Sequence, residues 1–144
     1  MKSVASVLRS KPNQTVHTIA PDASVRTAIE LMARYGVGSL VVFDAGQIVG
    51  MLTERDYARK VVLLGRVSDA TPVRDIMTSP VLYVRPDQTN DQCMALMTES
   101  RIRHLPVVDN GKMIGLISIG DLVKDIISEQ RFMIEQLENY ITGR

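Results

Sequence analysis

Leu40-Val41-Val42-Phe43-Asp44-Ala45-Gly46-Gln47-Ile48-Val49-Gly50-Met51-Leu52-Thr53-Glu54-Arg55-Asp56 returns as Leu105-Pro106-Val107-Val108-Asp109-Asn110-Gly111-Lys112-Met113-Ile114-Gly115-Leu116-Ile117-Ser118-Ile119-Gly120-Asp121. Each copy reads as a strand of branched residues, a short turn, a return strand, and a hydroxyl residue that opens a helix. The match extends upstream. Pro21-Asp22 pairs with Pro86-Asp87 and Leu31-Met32 with Leu96-Met97, always 65 positions apart and without a gap. A fixed-period repeat marks one supersecondary unit used twice, and such copies usually pack on each other. Crevices between duplicated halves are expected ligand sites.

Working outward, Val16 to Ile19 reads as a short strand closed by Pro21-Asp22. Ser24 can cap a helix to about Tyr35, with Val25, Ala28, Ile29 and Met32 on one face and Gly36 as its stop. Thr53 starts a second helix to about Leu64. The second copy repeats this with a strand from Val81 to Val84, a helix capped by Thr89 to about Ser100, and a helix opened by Ser118. The expected fold is mixed α/β (α+β), two β-α-β-β-α repeats. Residues 1–70 hold the first repeat with its N-terminal segment, and 71–144 the linker, second repeat and a long C-terminal helix. Thr71-Pro72 with Val73, Ile76 and Met77 reads as a short helical linker, and Val4, Val7 and Leu8 as its equivalent before the first repeat.

The last helix spans about 119–141. Val123, Ile127, Gln130, Ile134, Leu137 and Ile141 alternate three and four apart, a short a/d seam with one polar member. It lies either on its own domain or against a second subunit. Cys93 falls at the position of Ala28 and reads as a buried, inert thiol.

Each repeat alone is small for an independent core, so the 144 residues are expected to share one. A hydrophobic fraction of 45% and a charged fraction of 23% suit a soluble domain, and a net charge of +1 offers no bulk attraction to nucleic acid or membrane. No apolar run reaches the roughly 18–20 residues of a membrane span. Met1-Lys2 is not followed by a signal-peptide core, so a cytoplasmic location is expected. Asn13-Gln14-Thr15 then reads as a chance sequon. The lone cysteine rules out an intramolecular disulfide.

Familiar catalytic and phosphate motifs are missing. Gly36 and Gly38 begin a G-x-G, but Val41 stands where a third glycine would be. Two histidines and one cysteine make a poor zinc set. What recurs is a hydroxyl residue with an aspartate three positions on: Thr53 with Asp56, Ser118 with Asp121. This is a capping-box-like start. The same geometry can seat a phosphate on free N–H groups, with a carboxylate to accept from ribose hydroxyls. Arg103 and His104, directly before a strand, could bind phosphate. The first copy has Gly38 and Ser39 there, and carries its cations later, at Arg55, Arg59 and Lys60.

With these residues in view, the chain resembles the tandem CBS domain pair, or Bateman module. The likeness rests on Leu105-Pro106-Val107-Val108-Asp109-Asn110-Gly111 and on the Gly-x-x-[Thr/Ser]-x-x-Asp helix start, and it covers about Val4 to Val123. The resemblance implies two repeats about a pseudo-twofold axis and clefts for adenine nucleotides: AMP first, with NAD or ATP as alternatives, and no metal. It implies Asp56 and Asp121 on ribose, Thr53 and Ser118 near phosphate or ribose, and Arg103 and His104 near phosphate. Thr15, His17, Val81 and Leu82 would lie near adenine. The first copy departs from the pattern, with Val41 in place of Pro106 and Gly38-Ser39 in place of the basic pair. The expected function is a non-catalytic, homodimeric nucleotide sensor acting on an unidentified effector protein. A small nucleotide-processing enzyme or a nucleic-acid-binding regulator are the alternatives.

Overall fold

A computed structural model describes residues 2–143. In chain order the elements are α1 (Val4–Ser10), β1 (Thr18–Ile19), α2 (Val25–Tyr35), β2 (Ser39–Asp44), β3 (Gln47–Thr53), α3 (Glu54–Tyr57), α4 (Asn90–Ser100), β4 (His104–Asp109), β5 (Lys112–Ser118) and α5 (Ile119–Thr142). A π-helical turn over Ala58–Val62 follows α3, and a 3-10 turn spans Val73–Asp75.

Two-residue turns set both hairpins. Ala45 and Gly46 have φ of 51° and 79°, and Asn110 and Gly111 have 50° and 77°. Positive φ at both central residues is the type I′ signature, whose twist matches that of paired strands. β2 then pairs antiparallel with β3, Leu40 opposite Leu52, and β4 pairs with β5. Helix ends follow the expected chemistry. Ser24 and Thr89 cap α2 and α4 by accepting from the backbone N–H three residues on, and Gly36 closes α2 with φ 66°.

The chain divides into two compact units: residues 15–83 with 110–113, and residues 1–14, 84–109 and 114–144. In the first, Ile19, Val25, Ala28, Met32, Leu40, Val42 and Leu52 form a core completed by Val61, Val73 and Ile76. In the second, Val84, Cys93, Met97, Leu105, Val107, Ile117 and Leu122 are completed by Val4 and Val7. Cys93 is fully buried, and that burial pushes its thiol pKa up, which keeps it protonated and inert.

The placement of the N-terminal segment differs from the expected division at residue 70. Residues 4–10 pack with the second repeat, while the linker at 73–76 packs with the first. The two dockings use the same backbone bonds. Val4 N–H donates to Gln88 O at 2.8 Å and Ala5 N–H to Pro86 O at 3.0 Å. Val73 N–H donates to Ala23 O at 2.8 Å and Arg74 N–H to Pro21 O at 3.0 Å. At the other end of α1, Leu8 packs on Gly115 of β5, as Met77 packs on Gly50 of β3.

Two elements are shorter than expected. The strand over 81–84 reduces to one parallel bridge, Val84 with Val107, the counterpart of Ile19 with Val42 in the first repeat. There Val41 N–H donates to His17 O at 3.1 Å. Pro106 stands at the position of Val41 and has no N–H, so that bond is lost and the strand stops. The helix after Thr53 keeps only four α-helical residues before its π turn, which still buries Val61 while Leu63 and Leu64 stay exposed. The last helix is as long as expected, 24 residues or about 36 Å. Leu122 and Asp125 are its buried members, and every described residue beyond Gln130 is exposed.

A Cβ on Gly115 would lie 2.8 Å from Leu8 Cδ2 and 3.2 Å from Cδ1. Gly115→Ala should therefore destabilise the protein by about 1–3 kcal/mol through overpacking. Combined with Leu8→Ala, which opens the space, it should cost less than the two single changes added together. Urea denaturation of the four proteins measures this; simple additivity would mean that α1 does not dock on β5 in solution.

Candidate functional site

Both recurring helix starts form full capping boxes. At the first, Thr53 Oγ1 accepts from Asp56 N–H at 3.1 Å, and Asp56 Oδ2 accepts from Thr53 N–H at 3.0 Å and from its hydroxyl at 3.1 Å. Asp56 Oδ1 faces Lys60 Nζ at 3.2 Å and the Thr78 hydroxyl at 3.4 Å. Lys60 also donates to Ile76 O at 3.0 Å. Asp56 is thus buried and contacted on both oxygens.

At the second, Ser118 Oγ accepts from Asp121 N–H at 3.1 Å, and Asp121 Oδ2 accepts from Ser118 N–H at 2.9 Å. Lys11 Nζ lies 3.0 Å from the same Oδ2 and donates to Leu116 O at 2.8 Å. A carboxylate offers about four acceptor positions. These contacts all use Oδ2, which leaves acceptor capacity on Oδ1. Asp121 is therefore the better placed of the two aspartates to receive a hydroxyl pair.

Burial alone would raise the Asp121 pKa. The Ser118 N–H and the Lys11 ammonium outweigh it and hold the carboxyl below its ordinary value. Next to it, Ile119 N–H donates to Arg103 O at 2.9 Å, which ties the strand entrance to the helix start. His104 opens β4 and is held below its ordinary pKa, first by burial and then by Lys11 and Arg103, with Asp121 opposing. Arg103 itself is exposed, and Pro106 is buried in β4.

The remaining expected residues sort by unit. Gly38 lies beside the first helix start, where its carbonyl accepts from Glu54 N–H at 3.0 Å, and Ser39 is buried at the start of β2. His17 stacks on Tyr35 with ring centroids 4.0 Å apart and 12° between planes. Thr15, Arg55 and Arg59 are exposed. Val81 and Leu82, expected near adenine, belong to the unit of residues 15–83. Lys11 and Thr78 were not singled out in the sequence. Each reaches its aspartate only through the docking of a segment that precedes a repeat, and no local motif marks either.

Among the described residues, no group of three or more His, Cys, Asp or Glu side chains is placed to hold a metal, and no helix is long and apolar enough to cross a membrane. The sequence profile of the CBS domain matches residues 4–63 and 73–128. The chain is 42% identical over 127 residues to the mitochondrial CBS domain-containing protein CBSX3 of Arabidopsis thaliana, covering 85% of this chain and 62% of that relative. It is 32% identical over 115 residues to CBS domain-containing protein YhcV of Bacillus subtilis, covering 80% and 81%. A solved structure of a protein with CBS domains from Burkholderia ambifaria superposes with a TM-score of 0.86 at 56% identity, covering 90% of this chain and 96% of that one.

The lowered His104 pKa has a sign. The unfolded chain takes up the proton first, so this group costs nothing above the ordinary histidine range, and stability falls as pH drops below about 6.5. His104→Asn should flatten the stability profile between about pH 7 and pH 5. Urea midpoints across that range report it, and an unchanged slope would assign the acid sensitivity to other groups.

Proposed function

Because the chain belongs to the CBS domain family, we propose that it is a non-catalytic regulatory module that binds an adenine nucleotide and acts on a partner protein. CBS-pair proteins are regulatory modules, many of which bind adenosine compounds. The observation that carries the reading is the second helix start. It combines a hydroxyl, a carboxylate with acceptor capacity, and the cationic groups Lys11 and Arg103 beside His104. A carboxylate suits ribose hydroxyls and a guanidinium suits phosphate. AMP is the first candidate ligand, with NAD or ATP as alternatives. The first helix start is a second, weaker site, since Asp56 is already contacted on both oxygens.

The same reading includes a homodimer. On α5, Ile134, Leu137 and Ile141 are 54%, 60% and 80% exposed, so the a/d seam is not covered by the helix's own unit. Isologous pairing with a second copy would bury it.

AMP, ATP or NAD at about 100 times its dissociation constant should stabilise the protein by about 2.7 kcal/mol, a rise of several degrees in Tm, while GMP does less. Asp121→Ala should remove most of that rise and Asp56→Ala only a part. No response to any adenine compound would overturn the reading, and consumption of the nucleotide by the purified protein would favour an enzyme.

Intact protein at tens of micromolar should sediment as a dimer, and a chain ending at Gln130 should shift toward monomer. An intact monomer would refute the dimer; a dimer untouched by truncation would refute the role of α5.

A further inference from the structure

Lys11 reaches the second helix start from 110 positions before Asp121. A cation is electrostatically out of place there, since the first turn of a helix carries the positive end of its dipole. Arg103, exposed at the adjoining strand entrance, is a second cation there: its carbonyl accepts from Ile119 N–H and its charge acts on His104. Within 102–106 and 116–121, Asp121 is the sole acidic residue, against the two cations Lys11 and Arg103. Both cations are felt at His104, whose pKa is lowered first by burial and then by Lys11 and Arg103, with Asp121 opposing.

The first helix start lacks that excess. Lys60 occupies the role of Lys11, on an aspartate and a backbone carbonyl, but comes from the local helix. Gly38 and Ser39 stand where the second repeat has Arg103 and His104. Glu54 stands at the position of Ile119, and its Oε1 is 3.0 Å from where a Cβ on Gly38 would be. Arg55 stands at the position of Gly120, so Lys60 and Arg55 are balanced there by Asp56 and Glu54, whereas Lys11 and Arg103 meet Asp121 alone.

We propose that Lys11 is a specificity residue of the second helix start, where its ammonium selects a ligand that carries a phosphate, and that the first helix start exerts no such selection. The proposal rests on the nucleotide reading above and goes beyond it by assigning phosphate discrimination to one of two similar sites and to a residue of the N-terminal segment. An ammonium has three donors, and Asp121 and the Leu116 carbonyl engage two. When ribose hydroxyls take up the Asp121 carboxylate, the ammonium turns its charge to the phosphate.

Calorimetric titration of AMP and adenosine into the wild type, Lys11→Met, Lys11→Arg and Lys60→Met tests this. Lys11→Met should weaken AMP about tenfold or more and leave adenosine within about twofold. Lys11→Arg, which keeps the charge, should retain most of the preference for AMP. Lys60→Met should leave the AMP-to-adenosine ratio unchanged. Equal losses of AMP and adenosine in Lys11→Met, an unchanged ratio there, or an equal fall in the ratio in Lys60→Met would each overturn the assignment while the nucleotide reading stands. A wild type that binds neither compound would overturn both. Taking the ratio on one folded sample separates the effect from any loss of stability.

Discussion

The docking of each pre-repeat segment onto the other repeat is the constraint on which the fold depends. Val4 and Val7 close the core of the second repeat, and Val73 and Ile76 that of the first. Full burial of each such side chain contributes about 1.5–3 kcal/mol. Neither repeat has that much to spare at its size. The paired backbone bonds, Val4 to Gln88 and Val73 to Ala23, hold the segments in one register and satisfy groups that would otherwise be orphaned near a helix start. The buried Asp125 reinforces the first docking, since Lys2 and Asn90 both contact it.

That docking also builds the candidate site. It delivers Lys11 to Asp121 and Thr78 to Asp56. The capping and ligand readings of the helix starts are therefore not rivals in geometry. The cap orients the carboxylate, and what it leaves unused decides whether a ligand can be received. By that measure the two starts are unequal, because Asp56 is contacted on both oxygens and Asp121 on one. The duplicated scaffold keeps the same cap in both copies and changes the charge around it.

The long α5 helix obeys a different logic. Its first turns are anchored by Leu122 and Asp125, but its later apolar residues face solvent. A stripe of Ile134, Leu137 and Ile141 exposed to water is unfavourable by the area it leaves uncovered. The seam is regular in spacing, with isoleucine and leucine at its later positions, which is the pattern that packs against another helix.

The sequence by itself determined the elements whose causes are local. Hairpin turns, caps, the positions of β2 to β5 and the two helix starts were all legible, because each rests on residues a few positions apart. The repeat carried this further, since a 65-residue period aligns one copy's core with the other's. Even the truncated strand at Val84 has a cause that the sequence holds, the proline at position 106 that cannot donate. What only the tertiary structure decided is which repeat each connecting segment completes. Val4 and Val7 look alike whether they pack with the nearer or the farther repeat, because hydrophobic burial is non-directional. Lys11 was hidden for the same reason. A lone lysine carries no periodicity and no local partner, and its meaning comes only from an aspartate 110 residues away.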